Sequence, residues 1–136
     1  MQYTMDSFQR LLQKNVIEAR FIRRHEKTDW STVRGAFITT NWELLNDKLG
    51  FNTLGFRPPN GRGMGYDHRN YNLVVGWDIF RQDYRVFGVE NSNIIKIHDV
   101  STEESRVEFW LYFRERIMQL TTREKLIYMG HLGSYR

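Results

Sequence analysis

The stretch from Tyr71 to Ile97 constrains this chain more than any other. It holds three β-forming runs: Leu73-Val74-Val75 leading into Trp77 and Ile79, then Tyr84-Arg85-Val86-Phe87-Gly88-Val89, then Ile94-Ile95-Lys96-Ile97. Phe80-Arg81-Gln82-Asp83 and Asn91-Ser92-Asn93 separate them. Val, Ile, Tyr, Phe and Trp suit a pleated, half-buried surface, whereas Asn, Asp and Ser supply turns. The links are far too short for the helical crossover that parallel strands require. The expectation is therefore a three-stranded antiparallel meander.

Two further strands precede it. Val16 to Arg24 alternates, with Ile17, Ala19 and Phe21 on one face and Glu18, Arg20, Ile22 and Arg24 on a mostly polar one. Trp30 to Thr39 follows, with Val33 and Phe37 as core anchors, and Gly35 in its middle marks a bulge or strong bend. Ahead of both, Phe8, Leu11 and Leu12 fall at helical spacing between a cap at Asp6 or Ser7 and a stop at Asn15. Thr40 with Glu43 reads as a capping box that opens a short helix through Leu44, Leu45 and Lys48, with Gly50 at its left-handed end.

Gly50 to Asn70 is irregular. Pro58-Pro59 excludes helix and central strand, and Gly55, Gly61, Gly63 and Gly65 add freedom. Long structureless loops in small domains are often functional. Beyond the strands, Ser101 with Glu104 opens a long helix, Thr121 with Glu124 a second, and Gly130 is a stop. In the long helix Trp110, Phe113 and Ile117 share one face, and Val107, Leu111 and Met118 form another, rotated round from it. Two apolar faces imply burial on two sides, or on one side plus a partner.

Together these elements predict one α+β, mainly β, domain over residues 1–136. A short N-terminal helix precedes a small five-stranded antiparallel barrel at 16–98, and a helical extension follows at 99–130. Closure would remove the sheet's edges. Phe21, Phe37, Val75, Trp77, Phe87, Val89 and Ile95 are the expected core of that barrel. Trp77 should face the core, and Asp78, pointing the other way, should bond a turn amide.

Three segments carry a family resemblance: Glu18-Ala19-Arg20-Phe21-Ile22-Arg23-Arg24, Val33 through Leu45, and Leu73-Val74-Val75-Gly76-Trp77-Asp78 with Tyr84-Arg85-Val86-Phe87-Gly88-Val89. Over roughly residues 16–97 the chain resembles the WYL-like family of short phage proteins with an Sm-like or SH3-like β-barrel. The pattern is a first hairpin, a Thr-x-Asn-x-x-Leu-Leu-like corner, a Val-Val-x-Trp-Asp strand and an Arg-x-Phe-x-Val strand. The loop at 50–70 is longer than that pattern wants, and the helices after Asp99 lie outside it. The resemblance implies a phage origin, a barrel, and binding of a ligand, nucleic acid or regulator without an established reaction.

The chain has no cysteine, so it has neither disulfides nor thiolate metal sites. His25, His68, His98 and His131 share no ligand spacing, and no nucleophile–base or paired-carboxylate motif is legible. Gly61-Arg62-Gly63-Met64-Gly65 lacks the Gly-Lys-Ser/Thr ending of a phosphate loop. No catalytic residue, metal or cofactor is expected. No apolar run reaches membrane-spanning length, and the N-terminus does not read as a signal peptide. A host-cytoplasmic regulator acting by occupancy is the expectation, concerned with host takeover. Net charge is +4 and the isoelectric point about 9.5, mildly basic. Nucleic-acid binding through the basic first hairpin and the Gly61-Arg62-Gly63-Met64-Gly65 loop is the first expectation, with protein binding as the alternative. Arg23, Arg24, Arg57, Arg62, Arg69 and Arg85 are the candidate nucleic-acid face, with Tyr66, Tyr71 and Tyr84 available for stacking. Trp110, Phe113 and Ile117 are the candidate surface for a host or phage protein, or for a second copy of the chain.

Overall fold

The computed structural model describes residues 4–22, 33–59, 73–88 and 92–129. The order is α1 (Met5–Lys14), β1 (Asn15–Ile22), β2 (Val33–Thr39), α2 (Trp42–Leu45), α3 (Lys48–Leu54), β3 (Leu73–Asp78), β4 (Asp83–Gly88), β5 (Ser92–Asp99), α4 (Glu103–Gln119) and α5 (Thr122–Met129). The strands form one antiparallel sheet in the order β4-β3-β2-β1-β5.

Two expectations are corrected here. The hairpin of β3 and β4 forms, but β5 does not continue it as a meander. It crosses back to pair with β1, from Asn15↔Asp99 to Phe21↔Ser92. Nor is the sheet closed: β4 and β5 remain its two edges, so there is no barrel. The reason lies in β1, which buries side chains on both faces. Ile17, Ala19 and Phe21 pack with Phe8 and Leu12 of α1, together with Ala36, Ile38 and Val74. Val16 joins Phe37 and Trp77 against the helices, with Phe51, Phe109, Trp110, Phe113 and Tyr128. A small barrel needs one face turned to water, and here helices cover both.

The expected single core is thus two. Phe21 and Phe37 are both buried, but on opposite faces. Trp77 is buried, Val75 half-buried, and Ile95 exposed. Ile95 is the extra residue where the register slips between Glu18↔Lys96 and Ala19↔Ile94, which takes it out of the alternation. Val89 and the side chain of Phe87 lie outside what the structure describes.

Local signals resolve one step away from where the sequence puts them. Thr4, not Asp6 or Ser7, caps α1, in a reciprocal box with Ser7. Asn41 caps α2, its side chain accepting the Leu44 amide at 2.8 Å. Thr102 with Ser105, rather than Ser101 with Glu104, opens α4. The box of Thr121 with Glu124 forms as expected. The helix through Leu44 and Lys48 is two short ones, and the left-handed residue is Gly55 (φ 78°), not Gly50. Gly50 instead admits the Trp110 indole, which a Cβ there would strike. Gly35 likewise makes no bulge, since β1 and β2 pair in unbroken register through it. Its lack of a side chain seats the Tyr128 ring, whose nearest carbon lies 2.6 Å from where a Cβ would stand.

Candidate functional site

The long helix α4 is held from inside by one carboxylate. Glu18 projects from β1 on the side expected to be polar, yet it is 1% exposed. Its Oε1 accepts from the Tyr112 hydroxyl at 3.2 Å and from Arg116 Nε at 3.3 Å. Its Oε2 accepts from Arg116 Nη2 at 2.9 Å and from the Tyr128 hydroxyl. An ionised carboxylate has about four acceptor positions, so these donors saturate it. Burial pushes its pKa up, but the bonds from Arg116, Tyr128 and Tyr112 outweigh that and hold it below the usual carboxylate value. Burial next to this anion raises the Tyr128 and Tyr112 hydroxyls. Glu124 of α5 joins Arg116 (3.4 Å) to Arg20 of β1 (3.3 Å), so one ionic network ties β1, α4 and α5 together.

A second buried pair explains Arg85 and Asp78. β2 and β3 are paired only at Ile38↔Asp78 and Thr39↔Trp77, and beyond that the strands part. Asp78 Oδ1 accepts the Phe37 amide at 3.4 Å and the Arg81 turn amide at 3.3 Å, the structural role its place after Trp77 implied. Arg85 Nε bonds Asp78 Oδ2 at 3.3 Å, and its Nη2 donates to the Gly35 and Tyr128 carbonyls at 3.1 and 3.2 Å. Its guanidinium also lies 5.2 Å from the centre of the Phe21 ring. The side chains replace the missing strand ladder and receive the last turn of α5. Burial raises the Asp78 pKa, more than Arg85 and the two amides lower it.

His98 of β5 lies against Tyr112, with ring centres 3.9 Å apart and planes tilted by 36°, and Lys96 Nζ stands 4.2 Å from the centre of the Tyr112 ring. The His98 Nε2 is buried without a partner among the described residues. Burial first, then Lys96, lowers its pKa, against a smaller upward pull from Glu18. A groove of about 480 Å³ opens at the end of the sheet where β1 stops and β2 starts, lined by Arg20, Val33, Asn93, Arg123, Glu124 and Ile127. One of its two lining cations, Arg20, is already paired with Glu124.

Among the described residues the carboxylates of these clusters are engaged by arginines, tyrosines or backbone amides, and of the groove's lining Arg20 and Glu124 are bonded to each other. Apolar side chains are left exposed at Ile95 and Ile97 of β5 and Leu126 of α5, and in a row on the opposite side of α4. Val107 and Leu111 are exposed, and Met118 is 72% exposed. Beside them run Glu104, Glu108 and Glu115, also exposed. Exposed Trp42 (74%) and Leu49 (78%) lie on α2 and α3, which the Glu43–Arg106 ion pair (2.8 Å) and the Trp110–Asp47 bond (2.9 Å) fasten to α4.

The sequence candidates divide accordingly. Trp110 and Phe113 are buried in the chain's own core and Ile117 packs against it, so this chain covers the face expected to meet a partner. Arg85 is buried and engaged internally, which removes it from a phosphate-binding face. Arg57 is exposed and has no acidic partner among the described residues. Arg23, Arg24, Arg62 and Arg69, with Tyr66 and Tyr71, lie outside the described residues. Metal-holding clusters of His or acidic side chains are absent among the described residues, as is any helix long and apolar enough to cross a membrane. No family model, curated protein or solved structure matches this chain.

Proposed function

We propose that this chain is a non-catalytic regulatory protein, of the phage type its resemblance implies, that engages a protein partner through the outward face of α4. The observation that carries this is the row Val107, Leu111 and Met118, spaced at four and seven residues and exposed throughout. A helix whose inner face is already buried gains nothing in folding from a second apolar face, and contiguous apolar surface on a soluble domain marks an interaction site. Exposed Trp42 on α2, which the Glu43–Arg106 pair fastens to α4, supports it, because tryptophan is enriched among the residues that dominate protein interfaces. The internal engagement of Glu18 and Asp78 supports occupancy rather than catalysis.

The test is capture from host lysate, with nuclease, by wild-type chain and by the double variant Leu111→Lys with Met118→Lys. A partner held by wild type, insensitive to nuclease and lost in the variant, supports the reading. Equal capture by both proteins refutes it. A second reading, nucleic-acid binding, rests on Arg57, exposed and without an acidic partner among the described residues, where the segment bearing Arg62 and Arg69 begins. Retention on heparin that falls steeply with salt, and falls further with Arg57→Ala, would favour that reading instead.

A further inference from the structure

The exposed row on α4 does not stand alone. Glu104, Glu108 and Glu115 repeat its spacing of four and seven residues, and on a helix of 3.6 residues per turn they form a second line about 60° round from it. All three are exposed, and none has a cationic partner among the described residues. Glu18, Glu43, Asp78 and Glu124, by contrast, are each bonded to an arginine. A chain of net charge +4 thus presents an apolar row edged by uncompensated carboxylates.

We infer, on the reading of α4 as the partner surface, that its occupant is a cationic amphipathic helix of another protein. The apolar row runs from Val107 to Met118, eleven residue steps or about 16 Å at 1.5 Å per step, which is three turns of a partner helix. Apolar side chains of that helix would cover Val107, Leu111 and Met118, and lysine or arginine along one of its edges would meet the carboxylate line. A second copy of this chain fits poorly. Antiparallel pairing about a two-fold axis sets the two carboxylate lines side by side, where like charges repel. Parallel pairing sets each line against the other flank of α4, which holds Glu103 and a single cation, Arg114.

The probe is a helical peptide of leucine and lysine, with leucine on one face, labelled for fluorescence anisotropy and titrated with the full chain. Its counterpart has glutamate in place of lysine. The expected result is binding of the lysine peptide that weakens with salt, and no binding of the glutamate peptide. The triple variant Glu104→Lys, Glu108→Lys, Glu115→Lys, checked for an unchanged melting temperature, should weaken the lysine peptide about tenfold or more and gain affinity for the glutamate peptide. Equal binding of both peptides, binding of neither, or indifference of the lysine peptide to the triple variant overturns the inference. So does a dimer in sedimentation that Leu111→Lys dissolves, since the occupant is then a second copy. If neither peptide binds while Leu111→Lys with Met118→Lys still abolishes capture of a partner, the assignment of the α4 surface stands and only the cationic helix is wrong.

Discussion

Replacing Glu18 by glutamine tests the internal anchor of α4 with almost no change of shape. The wild-type carboxylate receives four donors. A glutamine offers one oxygen with two acceptor positions, and its amide turns two more donors toward Arg116 and the tyrosines. The Arg116 fork loses one of its two bonds and its buried counter-charge, retaining only Glu124 at 3.4 Å. Breaking a buried pair costs about 3–5 kcal/mol. Arg116 has a side-chain exposure of 20%, so water recovers part of that. The expected loss is about 2–3 kcal/mol, or about 10 °C in melting temperature for a domain of this size. Urea and thermal denaturation at neutral pH, followed by circular dichroism, measure it. Glu43→Gln is the control: its carboxylate is exposed, so breaking the Arg106 pair should cost under about 0.5 kcal/mol. The Glu18 effect should also depend on pH. Its folded-state pKa lies below the ordinary 4.5, so its contribution is complete above that value and is lost as pH falls through the folded value. Wild type and variant should converge in acid. A Glu18→Gln protein as stable as wild type at neutral pH would refute the account of how α4 is held.

Three further outcomes follow from the same geometry. His98 has a folded-state pKa below 6.5, so its stabilising contribution is present above 6.5 and lost as pH falls through the folded value; His98→Phe should remove a loss of stability that wild type shows below about pH 6.5. Gly35→Ala should cost about 2 kcal/mol or more, because its methyl overlaps a Tyr128 ring fixed on both sides by Glu18 and Phe37; an unchanged denaturation midpoint would mean that α5 is free to move off β2. Asp78→Asn leaves the buried Arg85 without its counter-charge and should cost about 3 kcal/mol at neutral pH. Burial raises the Asp78 pKa above 3.8, so wild type gains stability relative to the variant as pH falls through the folded value, and the difference should widen in acid.

What was legible in the sequence was local. The β3–β4 hairpin, the outline of α1, the box that opens α5, and the opposed roles of Trp77 and Asp78 all rest on neighbours within a few residues. The partner of β5 did not, because Ile94-Ile95-Lys96-Ile97 pairs equally well by pattern with β4 or β1, and only the return to Val16 and Ile17 gives α4 its place. Glu18 was read as solvent-facing because alternation places it with Arg20. Its four donors come from residues 112, 116 and 128, about a hundred positions away, and no periodicity records such a pair. A trace existed: Tyr112 and Arg116 lie one turn apart in a helix otherwise rich in apolar residues. Arg85 misled for the same reason, since an arginine on a strand reads as surface until a carboxylate such as Asp78 is found behind it. On α4 the sequence separated two apolar faces, but which one would be buried depended on where Asp47, Phe51 and the sheet lay. Trp110 met them, and Val107, Leu111 and Met118 were left outside.

Because the chain contains no cysteine, the variant Leu111→Cys carries a unique thiol on the surface in question. Its rate of reaction with a soluble thiol reagent, alone and in complex with the captured partner, tests the assignment of α4 most directly. The account predicts labelling as fast as that of Thr53→Cys in the free chain at micromolar concentration, with protection of position 111 but not of position 53 in the complex. Slow labelling of Leu111→Cys in the free chain, or labelling unchanged by the partner, would contradict it.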